Sequence, residues 1–265
     1  MSVYPRLSGG IGNRLFQLYA ADDAARSWNL KLHIVKSMCE QTYHGSLEDF
    51  YMLFPVEHTC TQHFTMFNED KHFVHTPWPD CPGSSVLLNG YFQSPKYFPN
   101  PRLVPNWENV IDCAGIKAAS RLDETQQLRT WMIHFRQGDY KDLLHHQVSL
   151  HCYYMKCISK IPNGARLHVF SDEPELCKET VEEYIDGKNI ELTWSTQKHD
   201  VSALYEMSLC CGGSIVANSS FSWWGAYYAH ERNPKSLAFY PSKWGNPPLP
   251  PAVDIFPSWG IKVQC

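Results

Sequence analysis

The sequence predicts an α/β protein built on parallel sheets with helices on both faces. Two observations carry this prediction. Through the second half of the 265 residues, short apolar runs rich in β-forming residues alternate with helical patterns. Several of these runs end in polar loops holding glycine or serine, where open α/β sheets bind ligands. Charge is nearly balanced, at a formal −4, so neither nucleic acid nor an anionic membrane is indicated as the main partner. No stretch approaches the roughly 20 apolar residues a membrane span needs. The start, Met-Ser-Val-Tyr-Pro-Arg, has no long apolar region and no basic leader, which predicts a soluble, cytoplasmic protein.

Residues 3–30 read as a short strand, a turn and a helix. Ser8-Gly-Gly-Ile-Gly-Asn13 supplies the turn, and Leu15, Phe16, Leu18, Tyr19 and Trp28 then recur at helical spacing. Glycines at a helix start let backbone N–H groups approach an anion. The third glycine of the dinucleotide fingerprint is missing, as is a ribose-binding acid after Asn13, which disfavours a nucleotide-dependent oxidoreductase. Lys31–Val35 reads as a strand. From Ser37 to Pro105 the periodicity fades into aromatic pieces divided by Pro and Gly, and this region is expected to shape an acceptor cleft. Within it, Val86–Phe98 reads as a strand and a polar-aromatic loop, and Asn106–Leu128 as mainly helical.

The second half is more regular. Thr130–Phe135 is a buried strand that breaks into Arg136-Gln-Gly-Asp139. Helices follow at His151–Ile161, Pro174–Ile185, Val201–Cys211 and Phe221–Glu231. Strands follow at Arg166–Phe170, Ile190–Trp194, Ser214–Ala217 and Ser236–Tyr240. The tail from Ser242, rich in Pro and Trp, reads as irregular.

Three strand-end loops carry the chemistry. Arg136 offers a planar fork of donors suited to phosphate, or else pairs with Asp139 to brace its loop. Ala217-Asn-Ser-Ser-Phe-Ser222 places hydroxyls and free N–H groups at a helix start; an ordinary capped helix would look the same. Gly10–Asn13 is the third. Asp172, at another strand end, is placed to accept hydrogen bonds from ribose or a base. Converging, these edges would hold a diphosphate between an arginine and a helix N-terminus. There is no DxD and no P-loop, so no metal cofactor is expected; Arg136 and backbone dipoles would neutralise the phosphates. His58, Cys60 and His63, or His72 and His75, have ligand chemistry but no second half at zinc spacing. Ten scattered cysteines without a CxxC predict free thiols rather than a disulfide framework.

Gly9-Gly-Ile-Gly-Asn-Arg-Leu-Phe-Gln-Leu-Tyr-Ala20, Gly90-Tyr-Phe-Gln-Ser-Pro-Lys-Tyr-Phe98, His134-Phe-Arg-Gln-Gly-Asp-Tyr140, Phe170-Ser-Asp-Glu173 and Asn218-Ser-Ser-Phe-Ser-Trp-Trp-Gly-Ala226 occur in this order. Together they resemble the α-1,2-fucosyltransferases of glycosyltransferase family 11. The resemblance implies a GT-B-like fold of two facing Rossmann-type halves: residues 1–125 on the acceptor side and 126–265 binding the donor. It implies inverting, metal-independent transfer of L-fucose from GDP-fucose to a glycan acceptor, with the galactose 2-hydroxyl as target. Arg136 then corresponds to the pyrophosphate-binding arginine. His134, Asp172, Ser219, Ser220 and Phe221 correspond to donor-pocket residues, and Gly10, Gly12 and Asn13 line the pyrophosphate. The family has a second arginine where this chain has Gln137, which leaves another donor such as GDP-rhamnose open. A non-catalytic carbohydrate-binding protein on the same fold is the rival of a different class. For the base that deprotonates the acceptor, Asp139, Asp142, His145 and His146 are candidates, Asp139 also serving to orient Arg136.

Overall fold

The computed structural model describes residues 1–40, 47–57, 63–111 and 122–264. The chain divides into two compact units, Met1–Val110 with Ala252–Pro257, and Ile111–Pro251 with Ser258–Cys265. Among the described residues no helix is long and apolar enough to cross a membrane.

In the first unit, β1 (Ser2–Pro5) leads through Gly9, whose φ is +76°, into α1 (Ile11–Ser27). α1 is buried on most sides, including Leu15, Phe16, Leu18 and Tyr19, and Phe16 and Tyr19 pack on Phe98. Then come β2 (Lys31–Leu32), α2 (Leu47–Leu53), β3 (Phe64–Asn68), β4 (Ser85–Asn89) and α3 (Trp107–Ile111). The strands form a wholly parallel sheet in the order β2-β1-β4-β3. β1 and β4 are the two central neighbours, so the loops after them lie side by side at the carboxyl edge of the sheet, where open sheets bind ligands. Two features depart from the sequence reading. β2 stops at Leu32, and β3 is a strand where periodicity shows none, because it is an edge strand with four of its five residues exposed. Residues 112–121, within the stretch expected to be helical, lie outside the described residues, as do His58 and Cys60.

The second unit begins with α4 (Glu124–Arg129), opened by a capping box between Asp123 and Gln126. It continues with β5 (Thr130–Phe135), α5 (His151–Ile158), β6 (Arg166–Ser171), α6 (Pro174–Ile185), β7 (Glu191–Trp194), α7 (Asp200–Ser208), β8 (Gly213–Ile215), α8 (Ser220–Arg232), β9 (Leu237–Pro241) and β10 (Ile261–Val263). Its sheet is also parallel throughout, ordered β10-β9-β8-β5-β6-β7, with the reversal between β5 and β8. On one face Trp131, Ile133 and Phe135 of β5 pack with Tyr153, Tyr154 and Ile158 of α5 and Val181 of α6. The alternate residues Met132 and His134 face the other way, where His134 meets Phe221 of α8. The fold is thus α/β and GT-B-like, with two Rossmann-type halves each on a parallel sheet.

Two further corrections fall here. β10 is a strand within the tail read as irregular. Cys152 is disulfide-bonded, although among the described residues Cys39, Cys81, Cys157, Cys177, Cys210 and Cys211 are free.

Candidate active site

The site builds outward from the end of β5. Phe135 pairs with Ser171 of β6, so the next residues on the two strands, Arg136 and Asp172, emerge side by side. Arg136 Nη1 lies 2.9 Å from Asp172 Oδ2, and Nη2 lies 2.5 Å from Asp139 Oδ1. The Asp172 carboxylate also accepts hydrogen bonds from the backbone N–H groups of Gln137 (2.9 Å) and Gly138 (3.0 Å). A Cβ on Gly138 would sit 2.8 Å from Asp172 Oδ2, so glycine is required for the loop to close on the carboxylate. Both sequence readings of Arg136 meet in this geometry: the guanidinium is braced by Asp139 and stands at the ligand edge of the sheet.

Tyr140 completes the enclosure. Its ring lies under the Arg136 guanidinium at 5.5 Å and stacks on His146 at 4.6 Å. Its hydroxyl donates to the Asn218 carbonyl at 3.0 Å, and burial pushes that hydroxyl up. The Arg136 loop is thereby tied to the start of α8 across the β5/β8 switch point. Asn218 is buried, and its amide donates to the carbonyls of His146 and Trp244 at 3.0 and 3.1 Å, so it braces the loop. Ser219 stands at the N-cap of α8 without a side-chain cap bond. Ser220 and Phe221 form the first turn, where N–H groups lack intrahelical partners and the helix dipole favours an anion.

His134 is 4% exposed, and its Nδ1 has no hydrogen-bond partner among the described residues. Burial lowers its pKa to about 3, the nearby Arg136 charge adding to the shift and Asp172 opposing it. The imidazole is therefore neutral at any ordinary pH. Leaving a buried polar atom unpaired costs about 1–3 kcal/mol, a cost that a ligand partner would remove. Tyr154 on α5 donates to the His134 carbonyl at 2.8 Å, which fixes the backbone two residues before Arg136.

A cavity of about 700 Å³ opens beside this cluster, lined by Arg136, Tyr140, Lys141, His146, Tyr154 and Tyr184 among others. Its size and its mix of aromatic rings, amides, hydroxyls and cations are those of a small-molecule site. Gly10, Gly12 and Asn13 belong to the first unit, at the start of α1, where Asn13 Oδ1 accepts from Gln93 Nε2 at 2.7 Å. That bond joins the segments that follow β1 and β4. Sequence reading assigned no role to Tyr140, Tyr154 or Gln93. Tyr140 and Gln93 stand inside quoted motifs, but only the fold reveals what their side chains hold. Among the described residues no three His, Cys, Asp or Glu side chains are grouped to hold a metal ion.

Two parallel-sheet units, each with polar loops at the carboxyl edge of its sheet and one with an arginine held beside a helix N-terminus, define a GT-B-type glycosyltransferase architecture. Residues 116–240 match the family model described as glycosyl transferase family 11. An α-1,2-colitosyltransferase of Escherichia coli is 26% identical, over 85% of this chain and 87% of that protein. Through this stretch the chain is similar to glycosyltransferase family 11, and the two matches together support a fucosyltransferase-like glycosyltransferase. Solved structures agree at the level of fold. A fucosyltransferase NodZ from Bradyrhizobium superposes with a TM-score of 0.51 at 13% identity, covering 84% of this chain and 91% of that one. The NodZ α-1,6-fucosyltransferase co-crystallised with GDP does so at 0.51 and 14%, with the same coverage.

Proposed function

We propose that this chain transfers L-fucose from GDP-fucose to a glycan hydroxyl, the galactose 2-hydroxyl in particular, with inversion and without a metal ion. The observation that carries the reading is the pairing of the Arg136 loop with the start of α8 across the β5/β8 switch point, joined by Tyr140 and Asn218. The acceptor oxygen bonds to the anomeric carbon as the bond to the diphosphate breaks and its electron pair leaves with GDP. The acceptor proton passes to a base on the enzyme. Arg136 and the first-turn N–H groups of α8 meet the charge that grows on the departing diphosphate. To do so Arg136 exchanges at least one carboxylate contact for phosphate. Asp139, whose Oδ1 holds Arg136, fits positioning better than proton transfer.

A second reading keeps the chemistry and changes the donor sugar. Gln137 stands where the family has arginine and lines the cavity, and the E. coli relative is a colitosyltransferase. Colitose or rhamnose is the alternative cargo. Calorimetry with GDP, GDP-fucose, GDP-mannose, GDP-rhamnose and UDP, first in EDTA and then with excess Mg²⁺ or Mn²⁺, tests both readings. Selective binding of GDP species supports the site, and the tightest sugar identifies the cargo. Binding only UDP, or only with added divalent metal, would contradict the proposal.

A further inference from the structure

Strands β3 and β4 lie side by side with Asn68 opposite Asn89, and the turns after them are built alike. After β3, His72 precedes Phe73 at φ 61°; after β4, Tyr91 precedes Phe92 at φ 51°. In each turn the phenylalanine is buried while the ring before it reaches the surface. A bulky aromatic residue in the left-handed region costs on the order of 1–3 kcal/mol and persists only where its surroundings over-determine it. At Phe92 the over-determining group is Glu69, whose side chain is only 7% exposed. Its carboxylate accepts hydrogen bonds from the backbone N–H groups of Tyr91 (2.8 Å) and Phe92 (2.9 Å). A Cβ on Gly90 would lie 2.3 Å from Glu69 Cβ, so glycine lets the acid reach across.

The outcome is a fixed pair of rings at the carboxyl edge of the first unit's sheet. His72 and Tyr91 meet edge to face at 5.4 Å, and Tyr91 is 39% exposed. Beside them Asn89 Nδ2 donates to Asn68 Oδ1 at 2.8 Å. A rigid exposed ring next to planar amides matches a pyranose, whose C–H face packs on an electron-rich ring while its rim hydroxyls take donors and acceptors.

We propose that Tyr91 and His72, with Asn68 and Asn89, form the platform on which a hexopyranose of the acceptor glycan rests, and that Glu69 is its positioning residue. That the bound sugar is an acceptor rests on the transferase reading; that a sugar binds there does not.

The test is saturation-transfer NMR with lactose, cellobiose and diacetylchitobiose as probes, alongside GDP calorimetry. The wild type should bind at least one disaccharide. Tyr91→Ala should weaken that binding about tenfold, and Tyr91→Phe should keep it, with GDP affinity the same in all three proteins. Glu69→Gln turns one acceptor oxygen into a donor facing an N–H, so it should raise the acceptor KM several-fold while leaving kcat and GDP affinity in place. Binding of none of the probes, equal binding by Tyr91→Ala, or parallel loss of GDP affinity overturns the platform. A wild type that binds a disaccharide but not GDP leaves the platform standing and refutes the donor assignment instead.

Discussion

Asp172 holds Arg136 at 2.9 Å while its carboxylate also accepts the N–H groups of Gln137 and Gly138. One side chain at the end of β6 thus sets both the direction of the guanidinium and the path of the loop that carries it. The carboxylate can fill this role because it is acceptor-only. Asn in its place keeps one acceptor and turns a donor toward the other N–H. Asp172→Asn is therefore expected to lower stability by about 1–3 kcal/mol and to cut kcat/KM for transfer by more than tenfold. Urea denaturation and initial rates read the two effects; wild-type turnover in this variant would show that Asp172 does not position Arg136.

Arg136→Ala removes the group proposed to neutralise the departing diphosphate. Transfer should fall by at least about a hundredfold, the scale of losing one preorganised donor at a developing oxyanion, and GDP binding should weaken. Arg136→Lys keeps the charge but loses the planar fork that now reaches Asp139 and Asp172 together. It should fall between the alanine variant and the wild type. Unchanged turnover in Arg136→Ala, with circular dichroism confirming the fold, would exclude this residue from catalysis.

Gly138→Ala tests the same latch from the backbone side. The added methyl would meet Asp172 Oδ2 at 2.8 Å and Cγ at 3.3 Å, so either the carboxylate or the loop must shift. The loop is partly exposed and the shift local, so the melting temperature should fall only slightly while transfer drops at least about tenfold, as misplacement at reacting groups does. A large melting shift with normal specific activity would mean that the close approach serves the fold and not the site.

What the sequence reveals follows from where its signals are local. β5 and α6 are legible to the residue because an apolar β-forming run breaks at Arg136 and because Pro174 occupies the first helical position. β3 is not legible, since an exposed edge strand has no apolar alternation, and neither is β10, three residues at the far edge of its sheet. The return of Ala252–Pro257 to the first unit rests on Asp254, which pairs with Lys96 and accepts the His75 N–H. No periodicity encodes such distant partners. In the site, Arg136 and Asp139 are three residues apart and could be paired on paper. The bonds from Asp172 to residues 137 and 138 follow from the β5–β6 register, which only the folded sheet supplies.

His134 sets a pH signature on stability. Burial first, and the Arg136 charge second, hold its folded pKa at about 3, against about 6.5 in an unfolded chain. Above pH 6.5 neither state binds the proton, and stability is independent of this group. As pH falls below 6.5 the unfolded chain takes up a proton that the folded one refuses, so stability declines with falling pH until the folded pKa is passed. Between pH 7 and 4.5 this amounts to roughly 2–3 kcal/mol. His134→Gln removes the titration, and although lost packing lowers its stability at pH 7, its further loss on acidification should be smaller than the wild type's by that amount. His75 and His230, also lowered by burial, titrate in both proteins and cancel in the difference. Urea denaturation of both proteins at pH 7 and 4.5 measures it; equal acid losses would mean that His134 is protonated in the folded protein and that the imidazole beside Arg136 is not held neutral.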